Sequence, residues 1–64
     1  MEEIKRIREA KGISQATLAA ELGVDRSAVA KWESAEAAPR ADKIPAICRA
    51  LDCKPNDLFS DKPA

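Results

Sequence analysis

The stretch that most constrains this chain runs from Ser14 to Glu33, S-Q-A-T-L-A-A-E-L-G-V-D-R-S-A-V-A-K-W-E. Its punctuation leaves room for two short helices and a tight turn. Leu18, Ala19 and Leu22 recur at the three- and four-residue spacing of one helix face. Gly23 stops that helix, because only glycine enters the left-handed C′ conformation without a Cβ penalty. Asp25 follows as an N-cap whose carboxylate is placed to accept from the free amides of the next helix. In that next helix Ala28, Val29 and Trp32 share a face. At about 100° per residue, Arg26, Ser27, Ala30 and Lys31 fall on the opposite one.

A helix with one buried apolar stripe, and an outward set of one arginine, one lysine and small residues, can lie in a DNA major groove. The pair is a helix-turn-helix pattern, with Ala19, Gly23 and Val29 at its three diagnostic places.

The rest of the chain supplies three further helices. The first is expected from Met1 to Lys11, with Ile4 and Ile7 facing the core and Glu2 and Glu3 near the positive end of the dipole. Gly12 ends it and Ile13 packs back. Ser14 caps the second helix, so Gln15 is its first residue. After the Ser34–Pro39 loop comes a fourth helix. With Asp42 as its N-cap, Pro45 falls at the third helical position, where no intrahelical donor is lost. The regular helix is therefore expected from Lys43 to Leu51, after a looser turn. Ile44, Ile47, Cys48 and Leu51 form its buried stripe. Asp52 has to serve as a left-handed C-cap without glycine. Pro55 suits the first position of a last short helix, Pro55 to Phe59. Leu58 and Phe59 are too apolar to be idle there: one closes the core and the other faces a partner subunit. Residues 60–64 form a polar tail.

Composition narrows the function classes. Sixty-four residues make one domain, able to bury about 60% of its unfolded surface. Eleven basic and eleven acidic residues cancel, so no global field draws the chain to nucleic acid. From Ser14 to Lys43 the bases Arg26, Lys31, Arg40 and Lys43 face five acids, Glu21, Asp25, Glu33, Glu36 and Asp42. Any DNA affinity then depends on where the charges point. No apolar run is long enough for a membrane span and no signal-peptide pattern opens the chain, so a cytoplasmic protein is expected. Cys48 and Cys53 are too few for a disulfide framework or a closed zinc site. Cys48 reads as a small core hydrophobe, with no bridge to Cys53 expected. Without histidine or clustered carboxylates there is no acid–base or nucleophilic constellation. Neither an enzyme nor a small-molecule substrate, metal or cofactor is expected.

The segment resembles the Cro/lambda-repressor type of helix-turn-helix protein, the XRE family. The likeness extends beyond the central stretch, from I-K-R-I-R-E-A-K-G-I-S-Q, through K-W-E and Pro39, to I-C-R-A-L-D-C-K-P-N-D-L-F. It departs at three places: Ser34-Ala35 stands where such proteins usually have Asn-Gly, Glu36-Ala37-Ala38 where basic residues are frequent, and Asp52 where glycine is common. The resemblance implies an all-α, five-helix lambda-repressor-like domain over residues 1–59, with the helix-turn-helix formed by the second and third helices. It also implies that Arg8 pairs with Glu33, the alternative being two solvated charges. Gln15, at the first turn of the second helix, would abut a DNA phosphate, the alternative being a surface glutamine without a partner.

The leading functional expectation is a sequence-specific DNA-binding transcriptional regulator, a phage- or prophage-type repressor. It would read the major groove of double-stranded DNA with Arg26–Glu33, as a weak homodimer on a pseudo-palindromic operator. Arg26, Ser27, Ala30 and Lys31 would touch bases, while Gln15, Ser34, Arg40 and Lys43 hold phosphates. Leu58 and Phe59 are the dimer-interface candidates. A protein-interaction module, such as an antitoxin or anti-repressor, is the alternative that the balanced charge favours. A third reading, the N-terminal domain of a longer repressor, is equally compatible with these residues.

Overall fold

The computed structural model describes residues 1–59; the tail expected at 60–64 lies outside the described residues. Along these, the helices are α1 (Glu2–Ala10), α2 (Gln15–Leu22), α3 (Arg26–Glu33), α4 (Ile44–Leu51) and α5 (Pro55–Phe59), with a 3-10 turn at Ala41–Lys43 before α4. No strand occurs among the described residues.

Each helix end has a local cause. After α1, Gly12 takes φ +71°, and the Ile13 N–H returns to the Arg8 carbonyl at 3.0 Å, turning the chain sharply. The Ser14 hydroxyl accepts from the Thr17 N–H at 3.0 Å and starts α2. Gly23, at φ 72° and ψ 31°, ends it, while the Val24 N–H reaches the Ala19 carbonyl at 3.0 Å. Pro55 opens α5, where the Asp57 carboxylate accepts from the Lys54 N–H at 3.0 Å.

Two expectations about helix starts are corrected. Asp25 is the N-cap of α3 by its extended backbone, yet its carboxylate makes no capping bond. It is exposed, so water competes for both partners, and its carbonyl alone serves α3 by accepting from Ala28 N–H at 2.9 Å. Asp42 is not the N-cap of α4. The Lys43 N–H closes a 3-10 turn on the Arg40 carbonyl at 2.9 Å, so Asp42 lies inside that turn and α4 begins at Ile44. Pro45 therefore sits at the second helical position instead of the third, where its missing N–H again costs nothing.

The core is one cluster to which every helix contributes. Ile4, Leu18, Val29, Ile47, Leu51 and Leu58 are fully buried, each worth roughly 1.5–3 kcal/mol relative to exposure. Trp32 and Cys48 complete it, while Ile7, Ile13 and Ile44 pack at its margin. Asp52 ends α4 at φ 55°, ψ 52°, in the left-handed region. Leu58 is 1% exposed and belongs to the core, so it is withdrawn as a dimer-interface candidate. Phe59 beside it is 58% exposed, the large apolar side chain that the described residues leave in solvent.

Candidate nucleic-acid interface

The α2–turn–α3 unit is fixed from beneath. Leu18, Ala19 and Leu22 of α2, with Val29 and Trp32 of α3, are buried in the core, which orients the opposite side of α3 outward. Arg26, Ser27 and Lys31 are exposed there, and Ala30 is half-buried, so only part of its methyl faces solvent.

The loop after α3 is tied by its backbone. The Lys31 carbonyl accepts from the Ser34 hydroxyl at 3.2 Å, the Glu36 N–H at 3.0 Å and the Ala37 N–H at 3.3 Å. Ala35, between them, takes φ +69° although it is not glycine. The side chains of residues 34–38 are exposed, including the carboxylate of Glu36.

Charges are distributed more narrowly than the sequence implies. Arg40 is exposed, with only a loose contact of 3.8 Å to Asp42. Lys43 is half-buried, and its ammonium donates to the Leu22 carbonyl at 3.3 Å, at the negative end of α2. Expected at a phosphate, Lys43 here directs one of its three donors to the carbonyl end of a helix of its own protein. Gln15 is also held internally. Its Nε2 donates to Glu33 Oε1 at 2.9 Å, and its Oε1 accepts from Arg26 Nη1 at 3.1 Å.

Glu33 anchors this set. Arg8 Nε donates to Glu33 Oε2 at 2.6 Å and Arg8 Nη2 to Glu33 Oε1 at 3.2 Å, while Arg8 Nη1 donates to the Ile13 carbonyl at 2.6 Å. Burial works to raise the pKa of Glu33. The hydrogen bonds from Arg8 and Gln15, with the charges of Arg8 and Lys5, outweigh it and hold the carboxyl below its ordinary value. It stays ionised, with 5% of its side chain exposed. A chain Arg8–Glu33–Gln15–Arg26 thus runs from the core to the outer face of α3. Reasoning from sequence missed its outer half. The one signal was that Gln15 and Arg26 are the first residues of consecutive helices.

The cysteines lie away from this face. Both are free thiols, Cys48 buried and Cys53 half-buried. The Cys53 thiol is pushed up to about 11 by burial, then by the neighbouring Cys48 and by Asp57.

Comparison with known proteins gives the same picture at the level of the whole chain. The helix-turn-helix family profile matches residues 4–58. The chain is 35% identical over 58 residues to repressor protein C2 of Salmonella phage P22, covering 91% of this chain and 27% of that protein. It thus spans about a quarter of that relative's length. The crystal structure of the P22 c2 repressor in complex with a synthetic operator superimposes with a TM-score of 0.83, at 35% identity, over 89% of this chain and 86% of that one. The solution structure of the DNA-binding domain of the same repressor does so with a TM-score of 0.87, at 33% identity, over 94% and 79%. The five-helix arrangement is the one these repressor domains adopt. With its two central helices joined across Gly23 and the family profile covering most of its length, the chain belongs to the helix-turn-helix family.

Proposed function

We propose that the chain is a sequence-specific DNA-binding regulator of the phage-repressor type, acting inside a bacterial cell or phage-infected host without enzymatic chemistry. One observation carries the reading: α3, fixed across the Gly23 turn, exposes Arg26, Ser27 and Lys31, in a fold whose relative was solved on a synthetic operator. Arg26 reads a guanine through O6 and N7. Ser27 acts as an adaptable donor and acceptor, Lys31 reaches a guanine or a phosphate, and the partly exposed Ala30 offers a methyl to thymine. Arg40, Ser34 and the N-terminus of α2 beside Gln15 lie against phosphates. Two copies, associating weakly through Phe59, occupy half-sites about 34 Å apart.

Arg26→Ala tests this. It is expected to cost about 1–3 kcal/mol on the preferred duplex while relaxing the choice of one base pair. Equal weakening of preferred and scrambled duplexes would mean that α3 does not read bases. The second reading, a module that binds a protein partner, is favoured by the balanced charge and by the exposed Glu36-Ala37-Ala38 loop. Retention on heparin at low salt separates the two, since a partner-only module flows through.

A further inference from the structure

Four side chains from three helices form one hydrogen-bonded chain, and its ends leave no ambiguity about its direction. Glu33 is an ionised carboxylate with 5% of its side chain exposed, able only to accept. Arg26, at the other end, is able only to donate. Gln15 lies between them, so its Nε2 faces Glu33 at 2.9 Å and its Oε1 faces Arg26 at 3.1 Å. The reverse orientation would set the amide hydrogens against the guanidinium and the amide oxygen against the carboxylate. The carboxylate is itself locked, because Arg8 holds both of its oxygens, at 2.6 and 3.2 Å.

We infer that Glu33 is a positioning residue for base readout, acting through Gln15. By fixing which end of the Gln15 amide faces outward, it presents a carbonyl acceptor to residue 26 and aligns the guanidinium before DNA arrives. The bond uses Nη1, which leaves the Nε–Nη2 edge of the Arg26 fork whole for a bidentate contact. An exposed arginine is otherwise free in several rotamers, and ordering it in advance removes that cost from binding. The carbonyl also discriminates at residue 26: it accepts from a cationic donor and repels a carboxylate. The inference rests on the proposal that Arg26 reads a base.

The test compares three variants of the full chain, Arg26→Ala, Gln15→Met and Glu33→Gln. Gln15→Met removes the polar link at similar length and leaves the Arg8–Glu33 pair intact. Glu33→Gln gives position 33 an amide that can donate, so the Gln15 amide can turn over. Affinity is measured on the preferred duplex and on single-base-pair variants across salt, and the order of the Arg26 Nε–H is measured by NMR relaxation without DNA.

Gln15→Met is expected to lose roughly tenfold in preference at the base pair that Arg26→Ala relaxes, with the salt slope unchanged. The Arg26 Nε–H is expected to become mobile in the same variant, and Glu33→Gln to move both readouts in the same direction. The inference is overturned if Gln15→Met weakens all duplexes alike, the mark of a simple phosphate contact, which a neutral side chain gives up without changing the salt slope. It is overturned equally if preference and Arg26 order stay as in the parent. The two levels fail differently. If Arg26→Ala relaxes no base pair, base reading by Arg26 has failed, and this inference with it. An Arg26 Nε–H that stays ordered in Gln15→Met removes the positioning step alone.

Discussion

Arg8 and Glu33 are joined by two hydrogen bonds that pin α1 to the last residue of α3, with 9% and 5% of their side chains exposed. A buried pair of this kind adds little over an apolar substitute, yet breaking one side strands a charge. Arg8→Met alone is therefore expected to cost about 3–5 kcal/mol, enough to unfold a domain this small. Arg8→Met with Glu33→Leu is expected to recover most of that loss. Urea midpoints of the two variants check the contrast.

The same pair contributes to the acid sensitivity of the fold. The Glu33 carboxyl is held below its ordinary 4.5 in the folded state, so the folded protein binds its proton less readily than the unfolded chain does. Its contribution is whole above pH 4.5 and is lost as pH falls through the lower folded value. Thermal melts should show this group adding no pH dependence near neutrality and a loss of stability on acidification below 4.5. Glu33→Gln is expected to remove part of that acid slope.

Ala35 and Asp52 occupy left-handed backbone, at φ 69° and 55°. An L-residue pays roughly 1–2 kcal/mol there, while glycine gives back about 0.5–1 through its freer unfolded chain. Ala35→Gly is expected to stabilise by about 0.5–1 kcal/mol, seen as a higher urea midpoint at unchanged m-value. Asp52→Gly is expected to behave alike, because the Lys11 contact it gives up is a long 3.9 Å exposed pair.

Thiol chemistry gives a separate check on α4 and its cap. With the Cys53 thiol raised from an ordinary 9.0 to about 11, labelling of the native protein should be slow near pH 8 and climb until about pH 11. Cys48 should label only on unfolding. Rapid native-state labelling of Cys48 would contradict its place in the core.

Lys43 and Arg40, three residues apart, are expected to fail in different ways. Lys43→Ala removes a cation from the carbonyl end of α2 and should lower stability by about 0.3–1 kcal/mol. Arg40→Ala should leave stability unchanged and lower the slope of DNA affinity against salt by about one. Melting curves and binding across salt, run on both variants, separate the two roles.

Most of the fold could be read from residues whose effect is local. Gly23 and Pro55 act within one turn of chain, and Trp32 follows from the three- and four-residue period of α3. What stayed hidden depends on groups meeting across the fold. The partners of the Gln15 amide lie 18 and 11 residues away, at Glu33 and Arg26, and no spacing rule joins them. The Lys43–Leu22 bond spans 21 residues. Even the start of α4 was displaced, because a 3-10 turn and an α-helical turn accept the same residues Ala41, Asp42 and Lys43 while shifting the register of Pro45.

The bonds that converge on the Lys31 carbonyl bear on how such a chain diversifies. Because Glu36 and Ala37 are held by their N–H groups, the fold does not dictate which side chains stand at positions 36, 37 and 38, all of them exposed. Exchanging Glu36 for lysine changes the overall balance by two charges while leaving α3 and its polar chain untouched. On the proposed reading, occupancy of a site and choice of a site would then be separately heritable: a lineage could tighten or loosen its hold at three surface letters and keep its target, or change its target at α3 and keep its hold.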